Sequence, residues 1–379
     1  MCDFPTLQDL VWKARQRLPR PVWDFVTFGT ETETTVRRNR QALDSLALLP
    51  RVMRDVTDID PSATFLGDAL RIPVMLAPVG SIALLDPQGA VAAGRAAERF
   101  GTMLVVSGYA APGFATVAQA VRAPLIYALH PRPGLPPLDD LLDEVTACGY
   151  KAIAVVSEAV YYSRRERDLM SQVATAVSIT HPYAEVMRQH RMERAGGSAL
   201  IPEALAGGRM DWSMLERIKA RTRLKLILKG VTTASDARLA VAHGVDAVYV
   251  SNHGGRALDH GRATIQALPS IVDAVSGRAE ILIDGGFVRG TDVLKAIALG
   301  ANAVCMGRMQ SWALAAGGQD GVHRMLEILE EEIVITMALL GVNALTELSP
   351  AFVEATVPVG PAHPLGAFPV VMERIAAER

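Results

Sequence analysis

Cysteine is scarce in this chain. Its 379 residues carry three, Cys2, Cys148 and Cys305, with no CxxC pair among them. That set suits neither a disulfide framework nor a structural zinc site. An excess of one charge sign is missing too: Lys and Arg number 38 against 40 Asp and Glu, a formal net charge of -2. Nothing in that balance points to nucleic acid or an anionic surface as partner. Long apolar runs are absent, since EEEIVITMALLGV is too short for a membrane span and abuts three glutamates. The opening MCDFPTLQDLVWKARQRL lacks the apolar core of a signal peptide and carries the acidic residues a transit peptide avoids. A cytoplasmic protein with no membrane span is expected.

Several catalytic signatures are also lacking. Without a GxSxG elbow, serine hydrolysis has no support. Without HExxH or a close cluster of ligands, metal catalysis has little, and no metal site is expected. Without a Walker loop, or GxGxxG ahead of a first helix, neither a P-loop nor a Rossmann site is indicated.

What is present is a repeat of short apolar runs, each followed by a helical stretch. Eight runs stand at Val74–Val79, Met103–Ser107, Leu125–Leu129, Ala152–Ser157, Leu226–Lys229, Ala247–Ser251, Ile281–Asp284 and Ala303–Met306. They lack polar alternation, as strands covered on both faces do. Helical patterns intervene at Gly89–Arg99, Leu138–Ala147, Met214–Lys219, Ala234–Ala242 and Thr291–Leu299. Eight βα units predict an α/β fold, a (β/α)₈ TIM barrel with strands between residues 74 and 307. Residues 1–70 are expected as a helical N-terminal extension, and 308–379 as C-terminal helices and tail. Residues 169–210, after the fourth strand, are too long for an ordinary connection; they form either a lid or a plain surface excursion.

Polar and glycine-rich residues gather where these runs end: Lys229-Gly230, then Ser251-Asn252-His253-Gly254-Gly255-Arg256, Asp284-Gly285-Gly286 and Gly307-Arg308. In a barrel such strand ends share one face, where ligands bind. Glycines at the last two strands admit a phosphate to the backbone, with Arg289 and Arg308 adding charge, although a helix C-cap explains any one of them. His253 offers an imidazole that takes up a proton near neutral pH, and Arg256 a guanidinium that grips a carboxylate. Asp284 either orients that imidazole or caps a helix.

These motifs, SNHGGRALDHG with LILKG, ILIDGG and Gly307-Arg308, resemble the FMN-dependent 2-hydroxy acid oxidase and dehydrogenase family, the relatives of glycolate oxidase, lactate oxidase and mandelate dehydrogenase. The similarity runs through DFVTFGTETETTVRRN, RIPVMLAP and SRRERD. It implies FMN at the barrel mouth and oxidation of an L-2-hydroxy acid to the 2-oxo acid. His253 would then be the base and Asp284 its orienting partner. Arg165 and Arg256 would hold the substrate carboxylate, and Lys229 would lie by the flavin N1/C2 region. Gly80, Ser107, Ser251, Gly286, Arg289, Gly307 and Arg308 would contact the flavin. Tyr127 would stand as the active-site tyrosine. The resemblance further implies a homo-oligomer, a tetramer or octamer, and leaves oxygen, a quinone or an electron-carrier protein as the acceptor.

The sequence also departs from the family. Phe25 replaces a tyrosine that bonds the substrate carboxylate, and Tyr109 a tryptophan. Leu125 stands for a glutamine, Val156 for a threonine and Val288 for an arginine, and Leu129 is a further apolar replacement. These changes point to a bulky or aromatic 2-hydroxy acid, or to a specialised biosynthetic flavoenzyme acting on a non-standard C–O or C–N substrate. A flavin-dependent isomerase without net oxidation, and a noncatalytic barrel serving in assembly, are the readings from other classes.

Overall fold

The computed structural model describes residues 4–130, 137–161, 163–170 and 210–378. Eight parallel strands close into a barrel. They are β1 Val74–Leu76, β2 Leu104–Ser107, β3 Leu125–Leu129, β4 Ala152–Val156, β5 Lys225–Val231, β6 Ala247–Val250, β7 Glu280–Ile283 and β8 Ala303–Met306. Each follows its predecessor around the ring, and β8 closes onto β1 through Val304–Val74 and Met306–Leu76. All eight expected runs are strands. The first stops at Leu76 rather than Val79, and β5 continues through a register shift between Lys229 and Val231.

Alternate residues of each strand serve two cores, as the pleat requires. Leu76, Val106, Ile153, Val248 and Ile283 face outward into the layer shared with the helices. Met75, Val105, Ile126, Tyr249, Leu282 and Cys305 fill the bore. A hairpin, Ala63–Phe65 with Asp68–Leu70, adds Phe65 and Leu70 to the bore cluster. The Leu66 N–H donates to Glu280 at the start of β7, which fixes this hairpin at the N-terminal end of the barrel and leaves the opposite end for ligands.

Three helices precede the barrel: α1 Leu7–Arg17, α2 Arg20–Thr27 and α3 Thr34–Asp44. Thr6 and Asp9 cap α1 reciprocally, and its Leu7, Leu10, Val11 and Ala14 form one buried stripe. The connecting helices are α4 Gly89–Phe100, α5 Phe114–Ala120, α6 Leu138–Ala147, α7 Glu166–Met170, α8 Trp212–Arg221, α9 Ala234–Ala242, α10 Thr264–Val275 and α11 Gly290–Ala298. After β8 come α12 Arg308–Leu340, kinked at Gly317-Gly318, and α13 Pro369–Ala377. Trp23 of α2 stacks on Trp312 of α12 with ring centroids 6.1 Å apart. The short strand Leu46–Leu48 after α3 pairs antiparallel with Val353–Ala355 from the other end of the chain.

The expected lid at 169–210 lies outside the described residues apart from its ends. Among the described residues no helix is long and apolar enough to cross a membrane, and no group of three or more His, Cys, Asp or Glu could hold a metal ion.

Candidate active site

Strand β6 delivers the central turn. After Val250 come Ser251, Asn252 and His253, and His253 takes a left-handed backbone, φ 57°. That conformation costs a non-glycine residue on the order of 1 kcal/mol or more and needs local support. Ser251 Oγ accepts the His253 N–H at 3.1 Å, and Asn252 Oδ1 accepts the Gly255 N–H at 3.1 Å. Asn39 of α3 locks Asn252 by a reciprocal amide pair, 2.8 and 2.9 Å. Gly255, φ 75°, has its own reason: a Cβ there would stand 2.5 Å from the Val36 nitrogen, also on α3. The N-terminal extension therefore forms part of the site.

The imidazole has a carboxylate partner, and it is not the expected one. His253 Nδ1 lies 3.0 Å from Glu158 Oε1. Asp284 instead accepts from Ser251 Oγ at 2.6 Å and from Tyr249 Oη at 2.9 Å, so it reaches His253 only through Ser251. Glu158 lies two residues beyond the inward-facing Val156 and so continues the inward face of β4 over the mouth. That continuation is the signal that could have found it. Its Oε1 also takes the Lys229 ammonium, which donates in addition to Ser251 Oγ at 3.0 Å.

The charges in this cluster support one another. Burial works against the Glu158 carboxylate, but Lys229 and then His253 outweigh it and hold the group well below the usual range. Burial likewise opposes the Lys229 ammonium, and Glu158 and Asp284 more than offset it. Burial, with the Lys229 charge adding, lowers His253 to about 4 against the pull of Glu158. At neutral pH the ring is therefore uncharged. With Nδ1–H donated to Glu158, Nε2 is left as the proton-accepting nitrogen.

The two expected substrate arginines converge on one ring. The Arg256 guanidinium lies 4.8 Å from the Phe25 ring centroid and that of Arg165 lies 5.9 Å from it. Arg256 Nη1 also donates to the Phe25 and Phe28 carbonyls at the C-terminal end of α2, and Arg165 Nη2 to the Arg256 carbonyl at 3.4 Å. Arg308, where β8 turns into α12, donates Nε to the Thr27 carbonyl at 2.8 Å; burial lowers its pKa to about 10. Arg289 goes elsewhere. It caps α11, and its guanidinium is ion-paired with Glu332 of α12, which corrects its expected place on the cofactor. Gly286, φ 91°, closes on Asn39, 3.1 Å from where a Cβ would stand, and its carbonyl accepts from the buried Arg40. Packing against α3 thus accounts for a glycine expected to serve a phosphate. Gly80 lies in the turn after β1.

Strand β3 carries a second correction. Tyr127 belongs to the outer layer, its ring 5.0 Å from Phe114 and 6.0 Å from Tyr150, and burial pushes its hydroxyl well above the ordinary range. Leu125 and Leu129 face outward with it, while Ile126 and Ala128 face the bore. A one-residue offset moves every side chain of a strand to the other face. The residue that follows Ala128 by two is His130. It is buried, donates Nδ1–H to the Ala128 carbonyl (3.2 Å), and meets Tyr109 edge-on at 4.9 Å. Ser107 lies at the end of β2, its Oγ accepting the Tyr109 N–H at 3.2 Å.

Strand-top polar groups at Ser107, Lys229 and Ser251, with Arg308 and an open backbone at Gly307, suit a ligand having one polar ring and one phosphate. At Gly307 a Cβ would meet only Ala77, 3.8 Å away. These residues fit FMN.

The model of the family described as FMN-dependent dehydrogenase matches residues 14–355. The chain belongs to that family. It is 36% identical over 346 residues to glycolate oxidase of Spinacia oleracea, covering 90% of this chain and 93% of that one. It is 36% identical over 342 residues to a peroxisomal (S)-2-hydroxy-acid oxidase of Oryza sativa subsp. japonica, covering 89% and 92%. Among solved structures, a mandelate oxidase variant with (S)-mandelic acid superposes with a TM-score of 0.80 at 33% identity, covering 94% of this chain and 99% of that one. The protein is accordingly an oxidoreductase with FMN as cofactor.

Proposed function

We propose that the protein oxidises an aromatic (S)-2-hydroxy acid to the 2-oxo acid, with His253 as base. The carrying observation is the uncharged His253, Nδ1–H on Glu158, set in the same turn as Arg256. FMN, when bound, takes up the two electrons that leave the substrate carbon. Arg165 and Arg256 hold the substrate carboxylate by charge-assisted hydrogen bonds. His253 Nε2 removes the proton, and Glu158 stabilises the imidazolium that results. Lys229 would place a donor at the flavin ring, and Ser107, Ser251 and Arg308 would complete its contacts. Phe25, lacking a hydroxyl, and the small Ala128 on the bore face of β3 favour a substrate with an apolar ring. The solved mandelate oxidases, one holding (S)-mandelic acid and another benzoyl-formic acid, support the aromatic class. The curated relatives named as oxidases support oxygen as acceptor. The reading extends to a homotetramer, which light scattering on the purified protein checks, and to a cytoplasmic location, which fractionation of expressing cells checks.

Anaerobic mixing of the FMN-loaded protein with (S)-mandelate, (R)-mandelate and glycolate tests the reading. Bleaching of the flavin band is expected fastest with (S)-mandelate. No bleaching by any 2-hydroxy acid sinks the proposal and favours a C–N substrate or an isomerase. His253→Ala should slow bleaching roughly 10²–10⁴-fold, the usual scale for a positioned base.

A further inference from the structure

Tyr249 is a fully buried phenol in a bore whose other hydrophobic side chains are Met, Val, Ile, Leu, Ala, Cys and Phe65. It does two things at once. Its hydroxyl donates to Asp284 Oδ2 at 2.9 Å, and its ring lies beneath the Lys229 ammonium, 5.2 Å from centroid to Nζ. Asp284 spends its other oxygen on the Ser251 hydroxyl at 2.6 Å. Ser251 Oγ in turn accepts from Lys229 and from the His253 N–H. With Ser251 Oγ accepting twice, its proton goes to Asp284 Oδ1, and Asp284 takes both the Ser251 and the Tyr249 hydroxyls as an ionised acceptor. A buried carboxylate stays ionised only while its lone pairs are satisfied.

We propose that Tyr249 is a positioning residue of the flavin site: by donating to Asp284 and lying under Lys229 it keeps that carboxylate ionised, so fixing the charge beside the flavin and hence its redox potential. The inference rests on FMN standing at these strand ends. Tyr249 touches no substrate and acts through Asp284 and Lys229. The ionisable groups facing Asp284 are Lys229 of β5, Glu158 beyond β4, Tyr249 of β6, Cys305 of β8 and Arg308 of α12. Burial holds the Tyr249 hydroxyl and the Cys305 thiol neutral and Lys229 and Glu158 are charged as a pair, whereas burial raises Asp284 against the pull of Lys229 and of the Ser251 and Tyr249 hydroxyls, so loss of the Tyr249 bond raises it further.

The test is the midpoint potential of bound FMN as a function of pH in the holoenzyme, for the wild type, Tyr249→Phe, Asp284→Asn and the double variant. Tyr249→Phe keeps the ring and loses only the donor. Its curve should be steeper than the wild type's: above it at acidic pH, where Asp284 takes a proton and the site becomes more positive, and below it at alkaline pH, where the carboxylate is less screened. Asp284→Asn should raise the potential and remove that pH dependence, and adding Tyr249→Phe to it should change nothing further. Superimposed wild-type and Tyr249→Phe curves, or a constant offset between them, overturn the proposal. So does a double variant that differs from Asp284→Asn alone. A wild-type protein that takes up no FMN would instead overturn the placement of the flavin site, an outcome read from its absorbance before any potential is measured.

Discussion

The two halves of the barrel mouth carry different kinds of residue. From β4 to β7 the strand tops hold Glu158, Lys229, Ser251, His253 and Asp284, a continuous hydrogen-bonded network that leaves Glu158 Oε2 buried without a partner. From β2 to β3 they hold Ser107, Tyr109, Ala128 and His130, with an aromatic edge contact in place of ion pairs. The first half is equipped to move a proton and balance charge, the second to shape a cavity. Chemistry and selectivity are therefore separable here, and substitutions in the two halves should have different kinetic signatures.

The largest effect belongs to the charged half. Glu158→Gln leaves Lys229 buried without its ion-pair partner, a loss of about 3–5 kcal/mol in stability, read by denaturant unfolding. In the same variant the plateau of kcat/KM should fall by about tenfold or more, one step of 1.4 kcal/mol. The pH profile gives the sign. His253 lies at about 4, so kcat/KM rises through an acid limb near that pH and is flat at neutrality. Glu158 pulls His253 upward, so its neutralisation should move the limb to still lower pH. A limb that stays in place means Glu158 does not govern the base.

On the selective side, Phe25→Tyr restores a hydroxyl beside Arg165 and Arg256. A bond from that hydroxyl to a substrate carboxylate, at about 1.5–3 kcal/mol, should lower KM for glycolate by about tenfold or more with little change in kcat. A change in kcat alone would blur the division between the halves. The smallest effect is expected from Tyr127→Phe. Its ring faces the helices, so flavin reduction should stay within about twofold of the wild type, under 0.5 kcal/mol. A larger loss would return Tyr127 to the active site.

The barrel was legible because its strands are apolar on both faces, and the same property hid the facing of β3. In LIYAL all five residues are buried, so no alternation marks which of them line the bore, and Tyr127 reads equally well either way. The β6 motif was legible because His253, the glycines and Arg256 lie together in sequence. Glu158 was not, since its one mark, standing two residues past Val156, can be used only once the inward face of β4 is known, and all five residues of that strand are buried. Asp284 sits one strand from His253 and attracted the role for that reason, but its carboxylate is taken by Tyr249 and Ser251. Arg289 followed a glycine pair as a phosphate ligand does, yet Glu332, 43 residues further along, captures it.

The antiparallel pair formed by Leu46–Leu48 and Val353–Ala355 bears on how the enzyme comes into being. During synthesis the chain emerges N-terminus first, so residues 46–48 wait for almost the whole sequence before their partner exists. The helix just before them holds Asn39, the brace on the turn that carries His253. A nascent chain stalled short of residue 353 would lack that clasp, so premature termination near the end should yield a protein whose barrel strands are complete but whose base is loosely held.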